Sequence, residues 1–246
     1  MIIIALPMYN EEKDIGPYLT NLKKAMDNSQ LNYKIIILND GSKDNSVKIV
    51  EKFRKSMPIT LLHHEINKGL GITLKDLFLE VARISDDNDI IITMDSDNSH
   101  NPEYIKDMVN LIEKENFDLI IASRYEKGGK EIGLKWYRSI LSKNLALLMK
   151  ILFPIKGVRD YSCGYRGYRA KIIKTMINKY KNNFIKSQGF PGMSEILLKL
   201  RKTTKFKAKE IPLVLRYDLK QGESKLKLIK TIKEYGLMLL RNKFSK

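Results

Sequence analysis

The chain has 246 residues, 43% of them hydrophobic and 30% charged, which suits one large α/β domain with its own core. Its single cysteine, Cys163, excludes a disulfide framework, and three histidines leave little for a structural zinc site. The net charge of +17 is unevenly divided. Residues 1–126 hold 15 basic and 21 acidic side chains, a net −6, whereas residues 127–246 hold 30 and 7, a net +23. The first part has the balance of an ordinary enzyme domain, and the second should seek polyanions such as nucleic acid, an anionic membrane surface or phosphorylated substrates.

The N-terminus, Met-Ile-Ile-Ile-Ala-Leu-Pro, lacks a basic leader region and reads as a first strand. Apolar runs at 2–6, 33–38, 60–63, 89–94 and 118–122 predict strands. Helical periodicity at 12–27, 45–56, 70–84 and 103–115 alternates with them. That rhythm predicts a doubly wound, mainly parallel sheet flanked by helices, whose ligands bind beyond the carboxyl ends of the strands. After Gly133 the texture changes. Residues 136–153 read as a helix with a broad apolar surface, 160–168 as a Gly- and Tyr-rich ribbon, 193–202 as a helix and 206–216 as β-like. The tail at 226–244 is amphipathic: Leu228, Ile229, Ile232, Tyr235, Leu239 and Leu240 form a stripe flanked by lysines. No membrane-spanning helix is expected, because the longest apolar stretch, 145–155, is short and interrupted by Lys150.

The chemistry gathers at the predicted strand ends. Asp95 and Asp97 follow an apolar strand at i, i+2 spacing and so point the same way. Two readings stand: a pair holding a hard divalent cation on a substrate's phosphates, or an acidic loop capping the next helix. Asn39-Asp-Gly-Ser42 is strong turn chemistry, and Glu11 and Glu12 suit a first helical turn. The 67–71 loop has only Gly69 and Gly71, with Leu74 where a third glycine belongs, so a dinucleotide fingerprint is weak.

Taken in order, Leu6-Pro-Met-Tyr-Asn-Glu-Glu12, Asn39-Asp-Gly-Ser-Lys-Asp44, Asn67-Lys-Gly-Leu-Gly71, Met94-Asp-Ser-Asp97 with His100, and Ala122-Ser-Arg-Tyr125 resemble the GT-A-fold family 2 glycosyltransferases. Within these the chain looks most like the dolichol-phosphate mannose synthase group, which moves a sugar from a nucleotide diphosphate to a polyprenyl phosphate. The likeness continues through Tyr137 to Ser142, Asp160 to Tyr168 and Gly222-Glu-Ser-Lys225. It implies that Pro7, Tyr9, Glu11 and Asp40 surround the donor nucleotide, and that Asp95 and Asp97 hold Mg²⁺ or Mn²⁺ on its diphosphate. It further implies that Arg124, Arg138, Ser142 and Lys225 meet the acceptor phosphate, with Asp97, Arg124 and Arg138 closest to catalysis. Three positions depart from the family pattern. Asn39 replaces the first Asp of Asp-Asp-Gly-Ser, Ser99 stands where a Gln often helps hold the metal, and Leu219 replaces an Arg. Lys220, adjacent to Leu219, is a substitute point charge without a guanidinium fork.

The expected reaction is inverting transfer of a hexose from a GDP-mannose- or UDP-glucose-type donor to a polyprenyl or dolichyl phosphate. The alternative acceptor is a cell-envelope saccharide hydroxyl. Residues 1–215 would form the catalytic domain, and 216–246, with nine basic and three acidic groups, a basic tail at an anionic membrane surface. The 136–153 helix has two readings, core or membrane-facing. A peripheral enzyme on the cytoplasmic face of the membrane, with no nucleic-acid partner, is the resulting expectation.

Overall fold

A computed structural model describes residues 1–244, the side chain of Phe244 excepted. The first half winds as its periodicity predicts. Strands β1 (Ile2–Met8), β2 (Tyr33–Asp40), β3 (Ile59–His64) and β4 (Ile90–Thr93) alternate with helices α1 (Ile15–Ser29), α2 (Ser46–Phe53), α3 (Leu70–Ile84) and α4 (Tyr104–Lys114). β1 is apolar and buried along nearly its whole length, as a strand covered on both faces must be. It pairs in parallel with β2 and β4, with Ile4 opposite Ile35 and Ile92.

Beyond β5 (Leu119–Ser123) the chain adds β6 (Lys130–Ile132), α5 (Trp136–Leu152), β7 (Arg166–Arg169), α6 (Ala170–Tyr180), α7 (Pro191–Thr203), β8 (Ala208–Pro212), β9 (Val214–Arg216) and α8 (Leu228–Phe244). The seven-stranded sheet runs β3-β2-β1-β4-β7-β5-β8, and β6 and β9 form a separate parallel pair. β7 is inserted antiparallel between β4 and β5, with Gly167 opposite both Ile92 and Ile120. Most of the expected 160–168 ribbon is therefore irregular, and only its end enters the sheet. Helix α6 is an addition to the predicted elements; it buries Ala170, Ile172, Ile173 and Met176.

The two late helices differ in how they dock. α8 sets Tyr235 and Met238 into the core cluster, where the Tyr235 hydroxyl lies 3.3 Å from Ser194 Oγ of α7. Its predicted stripe is thereby split. Tyr235 and Leu239 face the body, Ile232 is half exposed at the cleft, and Ile229 and Leu240 face outward. α5 buries only Ala146 and Met149. Leu145 and Leu152 pack partly against the core, but Trp136 is 74% exposed and Ile151 67%, so much of the apolar surface of this helix lies outside it.

Gly71 shows how tightly the loops close. Its N–H donates to the Gln188 carbonyl at 2.8 Å, and a Cβ there would overlap the Ser187 carbonyl oxygen. Gly71 thus serves backbone approach to the 187–188 loop. Replacing it by alanine should cost about 1–3 kcal/mol and lower the melting temperature by roughly 3–10 °C in a thermal melt followed by circular dichroism.

Candidate active site

The carboxyl ends of β1, β2, β4 and β5 open onto one cleft of about 1040 Å³. Pro7, Tyr9, Glu11, Asp40, Asp95, Asp97, Arg124, Arg138, Ser142, Lys220 and Lys225 all line it. One cleft therefore brings together every residue expected to meet the donor, the metal or the acceptor. What each one touches sorts them further.

β4 ends at Thr93, so Asp95 and Asp97 stand on the loop beyond it. That loop is rigidly held. The Ser96 hydroxyl donates to the Pro7 carbonyl at 2.8 Å, and the Asp95 N–H donates to His100 Nδ1 at 3.1 Å. The His100 ring in turn stacks on Tyr165. No hydrogen-bond donor reaches the Asp95 carboxylate among the described residues; His100 Nε2 is the nearest cation-capable atom, at 3.9 Å. Asp97 is the opposite case. Its Oδ1 accepts the Ser99 N–H at 3.2 Å and the Ser99 hydroxyl at 2.5 Å, and its Oδ2 accepts Lys220 Nζ at 2.6 Å. Burial works against both charges of that pair. Asp97 nonetheless lies below the usual carboxylate range, held by Lys220, His100 and Ser99, and Lys220 is pushed up to about 12 by Asp97 and Glu11.

Asp40 faces inward. Its Oδ1 accepts the Lys68 N–H and lies 2.8 Å from His64 Nδ1, and its Oδ2 accepts the Gly69 N–H. Asp40 thus shapes the 67–69 loop, and Asn39 closes the turn by accepting the Ser42 N–H. Glu11 pairs with Lys225, which also reaches the Tyr9 and Asn10 carbonyls. Burial raises the Glu11 carboxyl against the pull of Lys220 and Lys225, and its Oε2 is buried without a partner.

Arg124 is spent internally. Its Nε and Nη2 fork onto Asp160 at 2.8 Å each, its Nη1 reaches Glu131 at 3.3 Å and its Nη2 reaches Ser162. Asp160 also accepts the N–H groups of Ser162 and Cys163. Arg138 stands on α5 over the Tyr217 ring and donates to the Tyr217 and Ser224 hydroxyls. Ser142 accepts from the Tyr125 hydroxyl at 2.7 Å. Glu131 and Asp14, which have structural parts in this site, were not singled out in the sequence, and Asp160 and His100 were noted there only as members of motifs, without these roles. Asp160 is one of seven acids in a half carrying thirty cations. That isolation is the signal of an internal counter-ion.

A model of the glycosyl transferase family 2 matches residues 3–177. The chain belongs to that family. It is similar to the dolichol-phosphate mannosyltransferase of Pyrococcus furiosus, 28% identical over 235 residues that cover 95% of this chain and 61% of that one. It is also similar to the polyprenol monophosphomannose synthase of Mycolicibacterium smegmatis, 26% identical over 174 residues, 70% of this chain and 63% of that one. The chain thus spans about three-fifths of the length of these relatives. Among solved structures, glucosyl-3-phosphoglycerate synthase from Mycobacterium tuberculosis in complex with Mn²⁺, UDP-glucose and phosphoglyceric acid superposes with a TM-score of 0.65. It is 16% identical, over 99% of this chain and 79% of that one. TarS of S. aureus gives 0.59 at 16% identity, over 99% and 72%. The fold is the GT-A fold of these enzymes, including helices at the C-terminal end.

A divalent ion of the kind bound in the mycobacterial synthase can be tested against these residues. Among the described residues no cluster of three or more acidic, His or Cys side chains is shaped to hold a metal. Mg²⁺ in phosphate sites asks for less, one or two carboxylates with substrate oxygens and water. Asp95, with its carboxylate uncommitted, meets that requirement, and the buried, unpartnered Glu11 Oε2 belongs to the same cleft. Asp97 meets it only where Lys220 gives way.

The Arg124–Asp160 pair generates a stability prediction. Asp160 lies below the usual carboxylate range, because Arg124 and the backbone N–H groups outweigh its burial. Its contribution is therefore complete above the unfolded carboxylate value and is lost as pH falls through the lower folded one. Asp160→Asn should cost about 3–5 kcal/mol by leaving Arg124 buried and unpaired. Urea unfolding at neutral pH would measure that loss, and the difference from wild type should narrow in acid.

Proposed function

We propose that the chain transfers a hexose from a nucleotide diphosphate sugar to an acceptor held between the strand ends and helices α5 and α8. The observation that carries this is the cleft itself. Asp95 and Asp97 line it together with Pro7, Tyr9, Glu11 and Asp40, expected at the donor, and with Arg138, Ser142 and Lys220, expected at an anionic acceptor. When bound, Mg²⁺ or Mn²⁺ supplies charge neutralisation on the leaving diphosphate, with Asp95 and Asp97 as its protein ligands. Pro7, Tyr9 and the 67–69 loop ordered by Asp40 would embrace the nucleotide. Arg138 and Lys220 would place an anionic acceptor opposite the leaving group by charge-assisted hydrogen bonds. In-line attack inverts the anomeric centre.

For the acceptor we propose a polyprenyl phosphate. A phosphate monoester is largely ionised at neutral pH, its second pKa being about 6, so it attacks without a general base. The names of the curated relatives, which act on dolichol and polyprenol phosphates, support this reading. So does the apolar end of the cleft, where Leu141, Leu145 and Leu148 of α5 face Leu228, Ile232 and Leu239 of α8. Outward-facing Trp136, Ile140, Ile151, Ile229 and Leu240 with interspersed lysines suit an anionic membrane surface. Among the described residues no helix is long and apolar enough to cross a membrane. On this reading residues 216–246 are the acceptor and membrane appendage of a catalytic body at 1–215, peripheral on the cytoplasmic face.

The second reading, a cell-envelope saccharide hydroxyl as acceptor, also has direct support. The solved structure with phosphoglyceric acid and UDP-glucose shows this fold beside a small acceptor that carries a hydroxyl. Within this chain, Arg124 is withdrawn from the acceptor by Asp160 and Glu131, which removes one cation expected to meet a phosphate.

A panel of GDP-mannose and UDP-glucose against a short polyprenyl phosphate and an oligosaccharide, each with Mg²⁺ or Mn²⁺, separates the two. Label should appear in the lipid phosphate with inverted anomeric configuration by NMR; label only in the saccharide, or a retained configuration, would sink the main reading. Asp97→Ala should lower transfer at least about a hundredfold, and Arg138→Ala should raise the acceptor KM with little change for the donor. In flotation with vesicles containing anionic lipid, the protein should float at low salt and release at high salt.

A further inference from the structure

The segment from Tyr217 to Leu226 is a strap laid across the donor side of the cleft, and its anchors are unusual. The N–H groups of Gln221 and Gly222 donate to the two oxygens of Asp14 at 2.7 and 2.8 Å. Lys225 caps the Asn10 carbonyl at 3.0 Å and pairs with Glu11. Lys220 reaches deepest, to Asp97 Oδ2, and there both side chains are about nine-tenths buried, 8% and 11% exposed. All of these partners are oxygens of the acidic half of the chain.

Ser99, a departure from the family pattern, and Lys220, beside the departure at Leu219, converge on one carboxylate. Ser99 occupies Asp97 Oδ1 with two hydrogen bonds, and Lys220 occupies Oδ2. A small divalent ion binds a carboxylate oxygen at about 2.0–2.1 Å. Placed on Oδ2, it would lie against an ammonium held 2.6 Å from the same atom. Two cations do not share that position in a buried site. Asp95, by contrast, is left open to receive one.

Resting on the donor-site reading above, we infer that Lys220 is a resident cation at the diphosphate-binding carboxylates, a latch that a divalent ion must dislodge from Asp97. The same strap carries Tyr217 and Ser224, which hold the Arg138 guanidinium. Dislodging Lys220 therefore frees Arg138 as well. Metal and donor enter first, and the acceptor's cationic partners become available as a consequence. Lys220 is a positioning residue in this scheme: closed, it neutralises Asp97, and open, it turns to the anions that follow.

The test is Mn²⁺ binding to the full chain without nucleotide, read from loss of the free Mn²⁺ signal in electron paramagnetic resonance. A latch open about one-tenth of the time weakens apparent affinity about tenfold. Lys220→Met should then bind Mn²⁺ about tenfold more tightly than wild type. Lys225→Met removes the same charge from the same strap but not from Asp97, and should gain about threefold or less. Mn²⁺ should also speed cleavage of the wild-type strap after Lys220 by a lysine-specific protease. An equal gain in both variants would replace the latch with a general field effect, and an unchanged or weaker Lys220→Met would overturn it outright. Asp95→Asn should abolish binding in either background. If neither wild type nor Lys220→Met binds Mn²⁺, with or without UDP or GDP, the metal-assisted donor reading falls and the latch with it. Equal binding by wild type and Lys220→Met removes the latch alone.

Discussion

The buried ion pair between Arg124 and Asp160 joins the two parts of the molecule. Arg124 terminates the β5 end of the parallel sheet, and Asp160 opens the irregular loop that leads back into the sheet as β7. Removing two charges from water is costly, and the pair is tolerable only because its remaining valences are filled. Glu131 and Ser162 take the rest of the guanidinium, and backbone N–H groups take the rest of the carboxylate. The result fixes β6, the start of α5 and the 160–165 loop against the strand ends. Without that tie, Arg138 and Ser142 would have no defined distance from Asp95 and Asp97. Arg124, expected at the acceptor phosphate, lines the cleft but directs its guanidinium to Asp160 and Glu131.

The charge asymmetry of the chain takes on a structural meaning as well. Part of the C-terminal excess is used inside the molecule, where Lys220 and Lys225 settle on the acidic floor formed by Glu11 and Asp97. Another part covers helix α5 and the outer side of α8, among apolar side chains that pack on nothing else. One electrostatic imbalance thus serves two ends, tying the 217–226 segment to the acidic half and dressing a surface. The split stripe of α8 makes the same division at the level of one helix, with Tyr235 and Met238 holding it to the body.

How far the sequence could be read depended on range. β1, β2 and β4 with their loops were legible because each is a continuous apolar run ending in polar residues, a local signal. The doubly wound, mainly parallel sheet with its ligands beyond the strand ends followed from that rhythm, whereas the GT-A assignment came from the resemblance carried by the ordered motifs. β7 was obscured because Arg166, fully buried and bonded to the Tyr161 and Met193 carbonyls, puts a cation where apolar residues are expected. Asp40 illustrates a different limit. Its place at a strand end was evident, but its turn inward toward His64 and the Gly69 N–H depends on β3 and the following loop. The contact between Lys220 and Asp97 spans 123 residues and leaves no periodic trace. Charge, spacing and turn chemistry report on neighbours in sequence; pairings across the cleft are properties of the fold.

Helix α5 carries a consequence of its own. Ala146 and Met149 are its buried residues, and Leu145 and Leu152 pack partly against the core, while Arg138, Leu141, Ser142, Leu145 and Leu148 line the cleft. The helix therefore has two working faces: one lines the cleft through Arg138, Ser142 and Leu145, and the other presents Trp136, Leu147 and Ile151 outward. Anything that meets the second face stands one helix diameter, about 10 Å, from the first.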